Sequence, residues 1–113
     1  MYKFAIKAVP FALVAAFAAG NASADELIVK IGHVAPLSGG QAHYGKDNEN
    51  GAKLAIADLN KSGIKIGGKT VKWVLLSEDD AADPKQGTAV AQKLVDEKVN
   101  GVVGHLNSGT TIP

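Results

Sequence analysis

What most constrains this chain is an alternation. Three apolar, β-branched runs, ELIVKIGHV (residues 26–34), KTVKWVLLSEDD (69–80) and VNGVVGHL (99–106), are separated by two stretches with helical spacing. Strands this apolar do not leave one face in water, so an α/β fold is expected, a parallel sheet flanked by helices on both faces. The first helix, over residues 44–62, carries Ala52, Ala55, Ile56 and Leu59 at i, i+3, i+4 and i+7. Gly63 follows it where a left-handed residue ends a helix without a Cβ penalty. The second helix opens on Asp83-Pro84-Lys85-Gln86, an acidic N-cap with proline at N1 and glutamine at N3. Its buried stripe is expected to be Val90, Ala91, Leu94 and Val95. After the third run, Asn107-Ser108-Gly109-Thr110-Thr111 is a further helix start.

The alternation begins only after residue 24. MYKFAIK supplies two lysines, AVPFALVAAFAAG is a 13-residue apolar run, and Ala22-Ser23-Ala24 is a small-residue ending. That is the layout of a secretory signal peptide, with cleavage expected after Ala24. A membrane anchor fits less well, because a spanning helix needs about 20 apolar residues and this run holds Pro10 and closes on Gly20 and Asn21. The chain has no cysteine, which excludes a lipid-modified cysteine after the leader, disulfides and thiolate metal sites. The leader takes two of the twelve basic residues and none of the eleven acids, so residues 25–113 are faintly acidic. No nucleic-acid partner is expected from that balance. A chain of this length supports one modest core.

One motif points elsewhere. GIKIGGKT (residues 63–70) matches the phosphate-cradling P-loop pattern letter for letter. A P-loop needs a strand entering and a helix leaving, whereas here a helix enters and a strand leaves. Gly63 is then a helix cap, and Gly67-Gly68 is a tight turn into the strand at Lys69.

Ligands of open α/β sheets gather beyond the carboxyl ends of the strands. Three loops lie there: residues 35–45, 77–83 and 105–111. In the third, Ser108, Thr110 and Thr111 beside Gly109 offer hydroxyls and free N–H groups to an anion such as a carboxylate. The alternative is that Ser108 or Thr110 caps its own helix. A nucleophilic role for the serine lacks both the G-x-S-x-G elbow and a placed His–acid pair. Glu78-Asp79-Asp80 is read as a solvated loop rather than a metal or phospho-acceptor cluster. His33 and His105 end neighbouring strands, but no third ligand stands at metal-binding spacing, so no metal or other cofactor is expected. Tyr44, at the end of the first loop, is either helix-start packing or an aromatic wall for a ligand.

Taken together, IGHVAPLSGGQAHYGKDNENGAKLAIADLN, DDAADPKQ and VVGHLNSGTT resemble the N-terminal part of periplasmic branched-chain amino-acid (Leu/Ile/Val) binding proteins. These are the substrate receptors of ATP-driven (ABC) importers. The resemblance implies a bilobal fold, with residues 25–113 the first part of lobe one and the second lobe absent. It implies a non-enzymatic, periplasmic receptor, monomeric when full length, that takes a small-molecule amino acid to a membrane permease. By position it implies that Ser108 binds the ligand's α-carboxylate and that Tyr44 lines the pocket near its side chain. Some members join the positions of Ala82 and Asn107 by a disulfide; here neither is cysteine. The sequence stops at Pro113, just inside the third helix, so the rest of the site is expected in a longer receptor. Two alternatives stay open: a ligand sensor built on the same bilobal fold, and a P-loop nucleotide-binding enzyme resting on residues 63–70 alone.

Overall fold

The computed structural model describes residues 25–113, and the signal peptide expected over residues 1–24 lies outside them. The strand richest in residues that tolerate burial on both faces takes the centre. β1 (Glu26–Ala35) pairs in parallel with β3 (Lys69–Asp79) along its whole length and with β4 (Gly101–Val103) on its other side. α1 (Ala42–Ser62) and α2 (Pro84–Asp96) are the crossovers, and α3 (Ser108–Thr111) follows β4. A short strand that the sequence reading did not separate, β2 (Lys65–Ile66), runs antiparallel to the start of β3, giving the order β2-β3-β1-β4. The expected parallel α/β sheet is therefore present, with one antiparallel edge.

The period-two alternation of β1 assigns its two faces. Gly32 and Val34 look toward α2, where Val34, Val90 and Leu94 form the buried core with Leu76 and Val99 against it. Gly32 leaves room for this packing: a Cβ would lie 2.7 Å from Leu94 Cδ1, and the leucine side chain would have to shift. Val90 and Leu94 are one helical turn apart and share the sheet-facing side. Val95, expected in the same stripe, is 66% exposed, since it lies a further 100° around the helix. Ile31 and His33 look toward α1, whose Ala52, Ala55, Ile56 and Leu59 stand over Ile31, Trp73, Leu75 and Val103. The helix does not close on the strands there, and a cavity of about 650 Å³ runs along the seam.

The helix boundaries follow their expected signals closely. Gly63 ends α1 at φ 64°, in the left-handed region. Asp83 caps α2 by accepting the Gln86 N–H at 2.8 Å, with Pro84 at the first helical position. α1 starts at Ala42, two residues before the expected start, so Tyr44 lies within its first turn. The third strand is shorter than expected. It leaves the sheet at Gly104, which has φ 127° and packs its Cα against the Val34 backbone, where a Cβ would overlap the Val34 carbonyl.

The P-loop pattern is a hairpin. Gly67 and Gly68 have φ of 59° and 78°, the double-positive signature of a type I′ turn, and Ile66 pairs with Lys69 across it. Lys69 pairs with Asp25 at 3.6 Å, at the end of the sheet remote from the carboxyl-end loops. Beyond β2 the outer edge of β3 is covered by a side chain. Asn60 of α1 accepts the Trp73 N–H at 2.8 Å and donates to the Trp73 carbonyl at 2.9 Å, taking the place of a strand there.

Candidate functional site

At the carboxyl ends of β1, β3 and β4, two acidic side chains join the loops. Asp79 ends β3, and its Oδ1 accepts N–H bonds from Leu37 (2.7 Å), Ser38 (3.3 Å) and Ala81 (2.8 Å). It therefore fastens the β1–α1 loop to the β3–α2 loop. Asp80 is wholly buried; its Oδ1 accepts the Ala82 N–H at 2.9 Å, and its Oδ2 lies 3.3 Å from His105 Nδ1. Ala81 and Ala82 both have positive φ, 49° and 58°, a conformation that costs an alanine roughly 1–2 kcal/mol. Each is held there by a carboxylate on its own N–H.

This corrects the expectation of a solvated acidic loop. Glu78, too, is engaged, with its carboxylate 2.6 Å from Lys93 of α2. The signal that was available in the sequence is Asp79-Asp80 ending three residues before the Asp83 N-cap, where free loop N–H groups need acceptors. Nothing local showed which N–H groups those would be. The two histidines diverge as well. His33 Nε2 lies 2.9 Å from Asn48 Oδ1 on the α1 face, while His105 turns to Asp80. Among the described residues no group of three histidine or acidic side chains is placed to hold a metal ion.

The carboxyl of Asp79 feels two opposed effects. Burial pushes it upward, but the hydrogen bonds from the Ser38 hydroxyl and the Ala81, Leu37 and Ser38 N–H groups outweigh burial and hold it below its ordinary value. A carboxyl lowered in the folded state adds stability above its unfolded pKa of about 3.9, and that stability is lost as pH falls through the folded value. Asp79→Asn should therefore lower stability by about 1–2 kcal/mol at neutral pH, the difference between charged and neutral acceptors. The gap from wild type should close on acidification below about pH 4. Urea unfolding across pH 2–7 checks this. Glu49, lowered chiefly by its hydrogen bond to Lys53 against the effect of burial, titrates equally in both proteins and cancels in the comparison. A gap that stayed constant with pH would show that the Asp79 charge is not the source.

The third loop is tied to the same rim. Asn107 Nδ2 donates to Gln41 Oε1 at 2.7 Å, which brings the start of α3 beside the start of α1. Asn107 is the N-cap residue of α3 but makes no side-chain cap bond, and Ser108 is the first helical residue. Ser108 is exposed, and among the described residues its hydroxyl has no hydrogen-bond partner. The Thr110 and Thr111 N–H groups already bond to the Asn107 carbonyl at 3.1 and 3.0 Å. That leaves the N–H groups of Ser108 and Gly109 open in the first turn, beside a glycine with nothing within 4 Å of where its Cβ would be.

Thr110, also expected at this site, is not exposed as Ser108 is. It is buried, its hydroxyl donates to the Asn107 carbonyl at 3.0 Å, and its Cβ fills the space left by Gly87 of α2. It is a packing residue between α2 and α3. Tyr44 is 61% exposed, and its ring stacks on His43 with centroids 3.9 Å apart. Ser108, Gly109 and Tyr44 are thus all exposed, in the first turns of two helices whose starts the Asn107–Gln41 hydrogen bond brings together. The 650 Å³ cavity lies instead along the α1 seam and is lined by none of them.

Comparison with known proteins identifies the family. A family model described as periplasmic binding protein matches residues 28–113. The chain is 43% identical over 101 residues to a Leu/Ile/Val-binding protein homolog of Brucella abortus, covering 89% of this chain and 26% of that protein. Among solved structures it is similar to the branched-chain amino acid transporter substrate-binding protein of Streptococcus pneumoniae in complex with isoleucine. The TM-score there is 0.65 at 34% identity, over 75% of this chain and 24% of the other. It is also similar to a solute-binding protein of an ABC transporter from Rhodopseudomonas palustris in complex with 3,4-dihydroxybenzoic acid. That match has a TM-score of 0.59 at 36% identity, over 75% and 22% of the two chains. The chain spans about a quarter of the length of these relatives. A parallel sheet whose carboxyl-end loops are laced into one rim, matched by a family model from the first strand to Pro113, places it plainly: the chain belongs to the periplasmic binding protein family.

Proposed function

We propose that residues 25–113 form the N-terminal part of the first lobe of an exported, non-enzymatic receptor. It captures a branched-chain amino acid in the periplasm and delivers it to the permease of an ABC importer. In this reading residues 1–24 are the cleaved leader, the full-length receptor is a monomer, and a second lobe supplies the remaining contacts. One observation carries it: among the described residues the Ser108 hydroxyl and the Ser108 and Gly109 N–H groups stand unengaged, beside loops that hydrogen bonds join to one another. Such a turn suits a carboxylate, which needs several donors when it leaves water. Tyr44, opposite on the first turn of α1, is the apolar wall for the side chain.

A second reading shares that carboxylate chemistry. The Rhodopseudomonas palustris relative is in complex with an aromatic acid, and an exposed Tyr44 ring suits an aromatic ligand as well as an aliphatic one. Titration calorimetry of the full-length receptor separates them. Leucine, isoleucine and valine should bind at least about tenfold more tightly than phenylalanine, small amides or 3,4-dihydroxybenzoate. Tyr44→Ala should change the order among side chains while leaving carboxylate-dependent binding in place. Tighter binding of the benzoate than of every aliphatic amino acid would replace the amino-acid reading with the aromatic one. A sensor on the same fold would bind identically but fail to support uptake in a transport assay with the permease.

A further inference from the structure

We infer that His105 and Asp80 are a positioning pair that sets where Ser108 stands, resting on the reading of Ser108 as the carboxylate-binding residue. Ser108 has no tether of its own, and it lies in a turn that leaves the sheet abruptly. The chain departs β4 at Gly104, whose Cα is pressed on the Val34 backbone, and four residues later it has entered α3. Between those points two side chains, those of His105 and Asn107, make hydrogen bonds back to the protein. Asn107 donates to Gln41, a contact on the exposed side. His105 reaches inward, its side chain 12% exposed, to an Asp80 carboxylate that has no exposure at all.

The chemistry of that contact is directional. Asp80 Oδ2 is an acceptor, so His105 donates through Nδ1–H and the imidazole is fixed in orientation. Asp80 cannot follow the loop if it moves, because Oδ1 is held by the Ala82 N–H and its own N–H donates to the Ala35 carbonyl at 3.2 Å. The carboxylate is thus anchored on β1 and on the β3–α2 loop, and through it His105 is referenced to the sheet. The Thr111 hydroxyl, which donates to the Asn107 carbonyl at 2.8 Å, also lies 3.2 Å from the His105 carbonyl, which sets the last turn of α3 against the same residue. A shift of His105 would carry α3, and Ser108 with it, off the rim. Neither His105 nor Asp80 needs to touch ligand for this.

The test is a double-mutant cycle in the full-length receptor, read by titration calorimetry with L-leucine and L-isoleucine. His105→Ala should weaken binding about tenfold, while His105→Asn, whose Nδ2 takes the place of Nδ1, should stay within about threefold of wild type. His105→Gln, which places its donor at the Nε2 position, should lose as much as alanine. In a Ser108→Ala background His105→Ala should cost less than about twofold more, because residues acting through one contact are non-additive. If His105→Ala does not fold, the asparagine–glutamine contrast decides alone. A folded His105→Ala that binds as wild type, an equal effect of Asn and Gln, or losses that multiply in the cycle would each overturn the pair while leaving the receptor reading intact. A wild-type receptor that binds neither amino acid would overturn the amino-acid reading of Ser108 and this inference with it.

Discussion

Gly45→Ala should destabilise the fold by at least about 3 kcal/mol, or prevent folding outright. The opposite is the ordinary expectation, since alanine for glycine inside a helix stabilises by roughly 0.5–1 kcal/mol. Gly45 is buried one turn into α1, where the helix crosses the end of β1. A Cβ there would overlap the Pro36 carbonyl oxygen and lie 2.6 Å from the carbonyl carbon. Both atoms are backbone, so no side chain can rotate away, and Pro36 is itself buried at the end of the central strand. The start of α1 would have to lift off the sheet and take Tyr44 and the Asp79-bound loop with it. Gly51 supplies the control on the same helix, because it is exposed and nothing lies within 4 Å of its Cβ position. Gly51→Ala should be neutral or stabilising by up to about 1 kcal/mol. Urea unfolding of the two variants should therefore give shifts of opposite sign. Similar small shifts at both positions would mean that α1 does not approach Pro36 as described.

Ser108→Ala should weaken amino-acid binding by the full-length receptor about ten- to a hundredfold and leave its stability almost untouched. A carboxylate entering a closed site gives up its water, and a hydrogen bond to a charged acceptor is worth about 1.5–3 kcal/mol. Among the described residues the hydroxyl has no partner, unlike those of Thr110 and Thr111, while the Ser108 and Gly109 N–H groups keep part of the affinity. Stability should hold because the hydroxyl has no partner among the described residues and the side chain is exposed. Thr110→Ala is the counterpart, since it removes a buried side chain's methyl and the hydroxyl on the Asn107 carbonyl. It should cost about 1–2 kcal/mol of stability. Calorimetry paired with thermal unfolding reads both properties. A Ser108→Ala receptor that bound as tightly as wild type but melted earlier would make the serine a structural residue and remove the strongest support for the proposed function.

The sequence by itself determined the order β-α-β-α-β, the parallel pairing, the Gly63 and Asp83 helix signals and the hairpin nature of GIKIGGKT. Each depends on interactions within a few residues: a hydrophobic period, a cap, a left-handed glycine, a two-residue turn. It also placed Ser108 and Tyr44 at the carboxyl ends of strands, because that follows from element order alone. Tertiary structure decided what those loops do to one another. Asp79 reaches Leu37 across 42 residues of sequence, Asp80 reaches His105 across 25, and Asn107 reaches Gln41 across 66. No local pattern marks such partners, and an acidic triplet reads as solvated until the donors that surround it are known. Thr110 parted from Ser108 for a related reason. On a single helical turn, neighbours two residues apart face opposite ways, and only the position of Gly87 on another helix determines which of them is buried.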